Sequence, residues 1–512
     1  MPGRWENEAV TDTASNPTGT SDPEDSGARP APSQSNRSTT PTSDAFRSFI
    51  ASGWADRDTA LPPAREQAPY AAGRRAVLAA RYPGRRLVIR AGETKTRSND
   101  TDYPFRADSA FSHLTGWGSD TEPGSVLVLD PLSPADPHEQ GSARPGDGQD
   151  APTHRATLYF RPAAGRDSDE FYANPAIGEF WIGARPTLEQ VAAELAIDTA
   201  DLADFAEGED DMTPQTHPEL ERDLSELRLV KDEYEIRQLR EAVAATARGF
   251  DDIVADLPRI AAHVRGERLV EGVFASRARL EGNDVGYGTI AASGPHACIL
   301  HWTRNDGPVL PGDLILVDAG VELDSLYTAD ITRTLPVSGA FSPVQRMVYE
   351  AVLEAADAAF AIVRPGIRFR EVHEAAMAVI ARVTREWGLA GDADPEHAYH
   401  RRYMVHGTSH HLGLDVHDCA KARRELYLDG VLEPGMVFTI EPGLYFQPDD
   451  LTVPEDFRGI GVRIEDDILV TADGAERLSA AIPRTAGEVE QWLRGARDVR
   501  GRGTGSGSDS AS

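Results

Sequence analysis

The chain of 512 residues has few of the residues that mark disulfide-bonded, membrane-spanning or secreted proteins. Its two cysteines, Cys298 and Cys419, are too few for a disulfide framework or a thiolate zinc site, so we expect free thiols in a reducing compartment. No apolar run approaches the roughly 18 residues that a spanning helix needs, and the amino-terminal segment lacks the apolar stretch of a secretory signal. These absences predict a soluble, cytoplasmic protein.

Positive charge is also scarce, because 52 lysines and arginines face 83 aspartates and glutamates, for a formal net charge of -31. Nucleic acids and anionic membranes are bound through clustered cations, so we predict neither as a partner. The sequence has no GxSxG, Walker or GxGxxG motif, which leaves covalent catalysis and nucleotide binding without support. It also lacks the HExxH motif of a thermolysin-like zinc helix.

Composition divides the chain into two domains between two tails. Residues 1–43 and 495–512 are rich in small polar residues and glycine and are predicted to be disordered. Residues 44–225 mix strand and helix patterns without a cluster of metal-ligand types, which indicates a supporting domain. Residues 226–494 open with a capping-box spacing and an amphipathic helix pattern, followed by short strands and two further helices. The Pro- and Gly-rich segment 130–154 is predicted to be a surface loop.

Four carboxylates and one histidine lie in strand-like segments of the second domain. They are Asp318 in LILVDAG, Asp330 in YTADITRT, His410 in HGTSHHLGLDVHD, Glu441 in VFTIEPGLY and Glu465 in GVRIEDDILV. Adjacent strands would bring the two aspartates together, where like charges repel unless a metal ion lies between them. An oxygen-rich donor set with one imidazole suits an ion such as manganese, and four carboxylates balance two divalent cations.

Several acidic residues in these segments also have a plainer interpretation. Asp318 alone could be a polar residue closing a buried strand. A solvated acidic patch is the alternative for Asp466 and Asp467, and to a lesser extent for Glu465. Arg463 and Glu465 alternate with apolar neighbours, so both point to one face of a half-buried strand. We therefore predict that Arg463 holds the orientation of a neighbouring ligand carboxylate.

Histidines cluster in the segment HGTSHHLGLDVHD, which holds His406, His410, His411 and His417. Only one of these imidazoles need bind a metal, and the others can donate hydrogen bonds to a substrate or an oxyanion. His301 follows the apolar stretch ACIL. It is either a substrate contact at the edge of a cleft or a histidine of the core.

Taken together, the motifs resemble those of the Xaa-Pro aminopeptidases, or aminopeptidases P, within the pita-bread metallopeptidases. The resemblance rests on ACILHW, LILVDAG with YTADITRT, VHGTSHHLGLDVHD, TIEPGLY and RGIGVRIEDD, which stand in the family's order, and on DSAFSHLTGW followed by SVLVLD. It covers roughly residues 44–490. The fold that it implies is of the α/β class in the broad α+β sense. A mixed creatinase-like N-terminal domain is followed by a C-terminal pita-bread domain with a curved antiparallel sheet and outer helices.

The resemblance also assigns roles to residues. It implies metal ligation by Asp318, Asp330, His410, Glu441 and Glu465, with Asp330 and Glu465 bridging two divalent ions, most readily Mn²⁺. A metal-bridging hydroxide would attack the carbonyl carbon of the first residue of an Xaa-Pro peptide. Glu441 would handle the proton. Substrate contact or stabilisation of the tetrahedral intermediate would come from His301, His406 and His417, while Arg463 would support the ligands.

The implied partners are peptides with proline in the second position and further copies of the chain, in a homodimer or homotetramer. A close alternative is a prolidase restricted to Xaa-Pro dipeptides. Another is a binding protein that keeps the fold without metals. The filled ligand positions and the absence of a basic surface disfavour that second alternative.

Overall fold

A computed structural model describes residues 41–503 apart from 42, 56, 58–59, 100, 133–152 and 390–396, and it describes no side chains from 497 onward. The two predicted tails and the predicted surface loop lie mostly outside the described residues. The last helix nevertheless runs from Ala486 to Gly503, into the segment predicted to be a disordered tail. The division between domains at residue 225 stays a prediction.

The helices are α1 (Asp44–Ile50), α2 (Ala68–Arg81), α3 (Ser109–Thr115), α4 (Glu170–Ala173), α5 (Glu179–Ile182), α6 (Leu188–Leu195), α7 (Pro218–Glu226), α8 (Glu233–Ala261), α9 (Gly266–Glu281), α10 (Pro343–Ile362), α11 (Phe369–Glu386) and α12 (Ala486–Gly503). The strands are β1 (Leu87–Arg90), β2 (Thr96–Ser98), β3 (Thr101–Asp102), β4 (Val126–Pro131), β5 (His154–Phe160), β6 (Asp198–Asp201), β7 (Asp284–Val285), β8 (Ile290–Ser293), β9 (Leu314–Ala319), β10 (Val321–Glu322), β11 (Ile331–Pro336), β12 (Val437–Ile440), β13 (Gly443–Tyr445), β14 (Gly461–Arg463), β15 (Asp466–Val470) and β16 (Ala475–Arg477).

The described residues form two compact units, one from the ranges 1–56 and 164–182 and the other from the ranges 57–163 and 183–512. The described part of the smaller unit contains α1, α4 and α5. Its aromatic side chains pack edge to face, with Phe46 against Tyr172 and Trp54 against Phe171. Such contacts add a small stabilisation beyond the area that they bury.

Within the larger unit, the first sheet has the strand order β1-β4-β5-β6. Its pairs are antiparallel except the last, which is parallel. The predicted strands RLVIRAG, SVLVLD and ATLYFRP are confirmed as β1, β4 and β5. The segment DSAFSHLTGW, which leads into β4, forms the buried helix α3. Asp108 caps its first turn and Gly116 ends it with a φ of 72°.

The later part of the same unit combines antiparallel strands with long helices. Helix α8 begins at the predicted capping box, in which Asp232 and Glu235 each accept the other's backbone N–H. Strands pair in the orders β11-β9-β8, β12-β15-β16, β13-β14 and β10-β7, all antiparallel among the described residues. One apolar core joins α8 to α11 with these strands. The expected α+β class is confirmed.

Strand register brings the predicted ligands toward one another. Asp318 in β9 lies opposite Thr332 in β11, and Asp330 immediately precedes β11. Glu465 lies between β14 and β15, and its backbone N–H donates to the carbonyl of Thr332 at 3.1 Å. The strand pairing thus gathers side chains that are far apart in the sequence. Among the described residues, no helix is both long and apolar enough to cross a membrane.

Candidate metal centre

Every site residue predicted from the sequence lines one cavity of about 580 Å³. The cavity brings together Asp318, Asp330, His410, Glu441, Glu465, His301, His406, His417 and Arg463. His301 is solvent-exposed at its edge, so the alternative of a core histidine is wrong. His411, the remaining histidine of the cluster, is buried outside the cavity lining and packs against Phe369.

Three of these side chains are close enough to share one ion. Asp330, His410 and Glu465 each offer a ligand atom, and these atoms lie within 4.8 Å of one another. His410 Nε2 is 3.3 Å from Asp330 Oδ2 and 3.5 Å from Glu441 Oε1. Carboxylate oxygens with one imidazole nitrogen are the donor set that hard or borderline divalent ions prefer. The residues present therefore fit the metal ions that the family motifs imply.

Electrostatics supports the same conclusion, because the carboxylates are buried with too little positive charge. Burial raises the pKa of Glu441 to about 7, against the opposing effect of His410 and Arg463. Burial, together with the charges of Asp330, Glu441 and Asp318, raises the pKa of Glu465 well above its usual range. Buried like charges are costly unless protons or cations neutralise them. The cluster is thus unfavourable in ionised form until cations enter it.

The pKa of His410 is also raised, but for a histidine this favours the charged form. Burial disfavours its charged form, but the hydrogen bond to Asp330 and the charges of Glu441 and Asp330 outweigh burial and raise its pKa to about 9. Without metal, a proton on His410 therefore supplies part of the positive charge that the acids lack. A metal ion has to displace that proton in order to bind the ring nitrogen.

Arg463 lies beside Asp318, one of the predicted ligand carboxylates. Its guanidinium contacts Asp318 directly, and its Nε donates to Thr332 Oγ1 at 3.1 Å. The Thr332 hydroxyl in turn donates to Glu465 Oε2 at 2.6 Å. Arg463 thus pairs with Asp318, and its hydrogen bonds reach Glu465 through Thr332. Sequence alternation correctly indicated the face of the strand but not the partner across the sheet.

Tyr287 and Asp467 are among the residues of the site that the sequence did not reveal. The Tyr287 hydroxyl donates to Asp318 Oδ1 at 2.7 Å and also contacts Asp330 Oδ1, so it lies between the two aspartates. Burial and the charges of both aspartates raise its pKa well above the usual range, which keeps the phenol protonated. Asp467 accepts the backbone N–H of Asp330 at 3.1 Å. Asp466 and Asp467 are both buried, so the solvated acidic patch is wrong.

His406 lies in a polar chain at the edge of the cavity. Arg463 Nη1 donates to the Tyr445 hydroxyl at 3.1 Å, and that hydroxyl is 2.8 Å from His406 Nε2. His406 Nδ1 is 2.7 Å from the carbonyl of Gly407, which can only accept, so this nitrogen carries the proton. Burial, reinforced by the charge of Arg463, lowers the pKa of His406 to about 4. His406 is therefore a neutral ring at physiological pH.

His417 lies against the proposed ligand His410, with ring centroids 4.4 Å apart in an edge-to-face arrangement. Burial and the neighbouring charge of His410 lower the pKa of His417, so its ring is also neutral near pH 7. A neutral imidazole has one N–H and one acceptor nitrogen. His417 can therefore donate one hydrogen bond into the cavity without adding charge.

The chain matches two known family models and several known proteins. Residues 237–472 match the model of metallopeptidase family M24, and residues 71–213 match the aminopeptidase P N-terminal domain. The chain is 49% identical over 476 residues to Xaa-Pro aminopeptidase 1 of Streptomyces coelicolor, covering 88% of this chain and 92% of that protein. It is 34% identical over 452 residues to the Xaa-Pro aminopeptidase of Escherichia coli, covering 83% and 97%.

Solved structures agree with these matches. Aminopeptidase PepP of Pseudomonas aeruginosa aligns with a TM-score of 0.69 at 31% identity, covering 85% of this chain and 99% of that one. Zinc-substituted E. coli aminopeptidase P in complex with product aligns with a TM-score of 0.69 at 30% identity, covering 85% and 100%. The chain is thus a metal-dependent aminopeptidase with the expected two-domain fold. It belongs to the Xaa-Pro aminopeptidase family.

Proposed function

We propose that this enzyme removes the N-terminal residue of peptides whose second residue is proline, with two divalent ions held by the five predicted ligands. The family motifs imply that Asp330 and Glu465 would be shared between the ions, and the ligand atoms of both residues lie within 4.8 Å of each other and of that of His410. The observation that carries the proposal is the packing of three buried carboxylates and the half-buried Glu441 beside one guanidinium, where burial and the acidic neighbours raise the pKa of Glu465. Manganese is the metal that we propose for the cell, since the donors are mainly oxygen.

When bound, divalent ions lower the pKa of water and polarise the carbonyl of the scissile bond. Proton transfer and hydrogen bonding to the substrate are left to side chains of the protein. Glu441 lines the cavity beside His410, where it could accept the proton of the attacking water and pass it to the proline nitrogen that leaves. His301 and His417 face the same cavity and can donate hydrogen bonds to the oxygen that becomes negative.

Substrate selection also has a basis in the cavity. An Xaa-Pro bond is a tertiary amide without N–H, so recognition has to rely on the shape of the proline ring. Ile290, Leu300 and Val416 provide apolar wall on the same cavity as the acids. A pyrrolidine ring placed against them would put its amide close to the carboxylate cluster.

Turnover of matched peptides tests the proposal. We expect purified enzyme with manganese to cleave an Xaa-Pro-Yaa tripeptide, and not the same peptide with alanine in the second position. Chelation should abolish cleavage, and adding back manganese should restore it more fully than adding zinc. Cleavage of Xaa-Pro dipeptides alone would instead identify a prolidase. Failure to bind any divalent ion on reloading would favour the metal-free binding protein.

Assembly and location remain predictions. We propose a homodimer or homotetramer because the family resemblance implies one. We also propose a cytoplasmic protein with no nucleic acid or membrane partner, on the grounds of charge and composition. Light scattering of the purified protein checks the oligomeric state. A monomer at micromolar concentration would contradict that part of the proposal.

A further inference from the structure

One wall of the cavity is a long connection between strands β8 and β9. It contains Leu300, His301 and Thr303, which line the cavity, and its only regular structure is a short 3₁₀ turn over Gly294–Cys298. A connection with so little backbone pairing has to be positioned by side chains. The source of that positioning lies outside the set of residues already described for the site.

Glu267 provides it. This residue follows the first residue of α9, and its side chain is 0% exposed. Its Oε1 accepts hydrogen bonds from the Ser293 N–H at 2.9 Å and from His296 Nδ1 at 2.7 Å. Its Oε2 accepts from Trp302 Nε1 at 2.9 Å and from the Gly307 N–H at 2.7 Å. One carboxylate thus holds the last residue of β8 and three points along the connection, as far as Gly307.

These four bonds bear directly on His301, because Trp302 is its neighbour in the chain. Trp302 stacks on His296 with ring centroids 3.8 Å apart and an interplanar angle of 25°, and both rings bond to the same carboxylate. The indole is therefore held by stacking on one face and by a hydrogen bond at its edge. Fixing the backbone of Trp302 restricts where the imidazole of His301 can reach.

The part of the connection around Asn305, between Trp302 and Gly307, has further contacts that do not involve the side chain of Glu267. Asn305 has a left-handed φ of 46°, and its side chain accepts the Ala291 N–H at 2.9 Å and donates to the Thr289 carbonyl at 2.8 Å. Arg268 donates to the carbonyl of Asn305 at 3.3 Å. The backbone N–H of Glu267 also donates to the carbonyl of Gly307 at 3.2 Å, and a change of side chain leaves this bond in place. Residues 305–307 should therefore keep their position when the Glu267 side chain is changed, and the effect of a substitution should concentrate on residues 293–302.

We propose that Glu267 is a positioning residue that sets the location of His301 and the adjoining cavity wall for peptide hydrolysis. The proposal rests on the proposed function for its kinetic consequence. A carboxylate suits this role because all four partners are donors, and it can accept from each. A glutamine in its place would turn an NH₂ group toward two donors, which would break two of the four bonds with little change in size.

Glu267→Gln is the main test, with Glu281→Gln as the matched control. Glu281 ends the same helix, about 21 Å from Glu267 along its axis, where it pairs with Arg248 and Arg277. Hydrogen exchange read by mass spectrometry should show faster exchange in residues 293–302 for Glu267→Gln alone. For that variant we expect kcat/KM on an Xaa-Pro-Yaa peptide to fall roughly tenfold, with bound metal per chain unchanged.

A double-mutant cycle separates positioning from general damage. If Glu267 acts through His301, then Glu267→Gln should lower kcat/KM little further in a His301→Ala background. Equal losses in both backgrounds, or unchanged exchange in residues 293–302, would overturn the proposal. Wild-type enzyme that failed to cleave Xaa-Pro peptides would refute the proposed function instead, and hydrogen exchange alone would then decide whether Glu267 holds the connection.

Gly307→Ala provides a second approach in case Glu267→Gln fails to fold. A methyl group at this position would lie 2.7 Å from His296 Cε1 and 2.9 Å from Glu267 Oε2, so it strains the same bonds from the other side while keeping the carboxylate. We expect the same pattern of faster exchange and lower kcat/KM. A normal exchange profile and normal kinetics in this variant would count against the proposal.

Discussion

Glu465 and Asp466 are neighbours in the chain and are equally buried, at 1% and 2% exposure, yet their surroundings are opposite. Glu465 faces three other carboxylates, and burial with those charges raises its pKa. Asp466 faces three guanidinium groups, from Arg333 at 2.8 Å, Arg484 at 3.0 Å and Arg477 at 3.3 Å. Burial alone would raise the pKa of Asp466, but these arginines outweigh burial and lower it.

The difference shows two ways in which this fold makes a buried acid tolerable. The arginines of the protein neutralise Asp466. The Asp466 carboxylate therefore contributes to the stability of the fold. Glu465 and its acidic neighbours have to be neutralised from outside, by protons or by metal ions. Removing an acid should therefore have opposite consequences in the two places: lost activity at one, and lost stability at the other.

The largest expected effect is on activity. Asp330→Ala and Glu465→Ala should each lower turnover at least about a thousandfold, because each deletes a proposed shared ligand. The midpoint of thermal unfolding of the metal-free protein should not fall, since the change relieves repulsion among like charges. Asp473→Ala, in an exposed turn, is the control. Normal turnover in either variant would show that the ligand assignment is wrong.

The next effect is on stability. Asp466→Asn leaves the buried Arg333 and Arg484 and the half-buried Arg477 short of negative charge, so we expect the free energy of unfolding to fall by about 3–5 kcal/mol. Denaturant titration of wild type and variant measures it, with Asp473→Asn as the control for an exposed aspartate. If Asp466→Asn were as stable as wild type, the arginine cluster would not be what makes this buried acid tolerable.

A third effect concerns pH and uses metal-free protein. The pKa of Glu441 is about 7 in the folded state against an ordinary 4.5, so its stabilising contribution is complete below pH 4.5 and is lost as pH rises through 7. The loss should be on the order of 3 kcal/mol, and Glu441→Gln should remove it. Chemical denaturation between pH 4.5 and 8 in the presence of a chelator measures it. A wild-type protein and a Glu441→Gln variant with parallel pH profiles would contradict the assignment.

For Asp466 the sign is reversed. Its pKa lies below the ordinary 3.8, so its stabilising contribution is present above that value and is lost as pH falls through the lowered pKa. The two acids should therefore weaken the metal-free fold at opposite ends of the pH range. Asp466→Asn should reduce the loss of stability in acid without changing how the free energy of unfolding varies between pH 4.5 and 7.

The smallest effect is a count of protons. Because the pKa of His410 is about 9 and that of Glu441 about 7, metal binding at pH 7 should release about one proton or more per chain. Calorimetric titration of manganese in two buffers with different ionisation enthalpies measures this number. Equal heats in the two buffers would mean that no proton leaves and that these two residues are not ligands.

Much of the site was predictable because its ligands stand next to recognisable strands. Asp318 and Glu441 follow apolar runs, and the motifs keep the order of a known family, so the positions of the acids could be predicted from the sequence. Partners across the sheet could not be predicted. That Arg463 meets Asp318, with Thr332 between it and Glu465, depends on the register of β9, β11 and β14, which no local pattern encodes.

Other residues were hidden by ordinary surroundings. Tyr287 lies between two glycines in a short connection, without a motif or period to mark it. Glu267 looks like any acidic residue in the first turn of a helix, where such residues are common for electrostatic reasons. Asp467 follows two other acids, which resembles a solvated run, although all three are buried. In each case the role comes from long-range packing and not from neighbours in the chain.

The most direct test of the central claim is a crystal of this protein grown with manganese and measured at an X-ray energy where manganese scatters anomalously. We expect two anomalous peaks per chain, with oxygens of Asp330 and Glu465 as ligands of both ions and His410 as a ligand of one. A cavity without a peak, or acids paired only with protein groups, would contradict it.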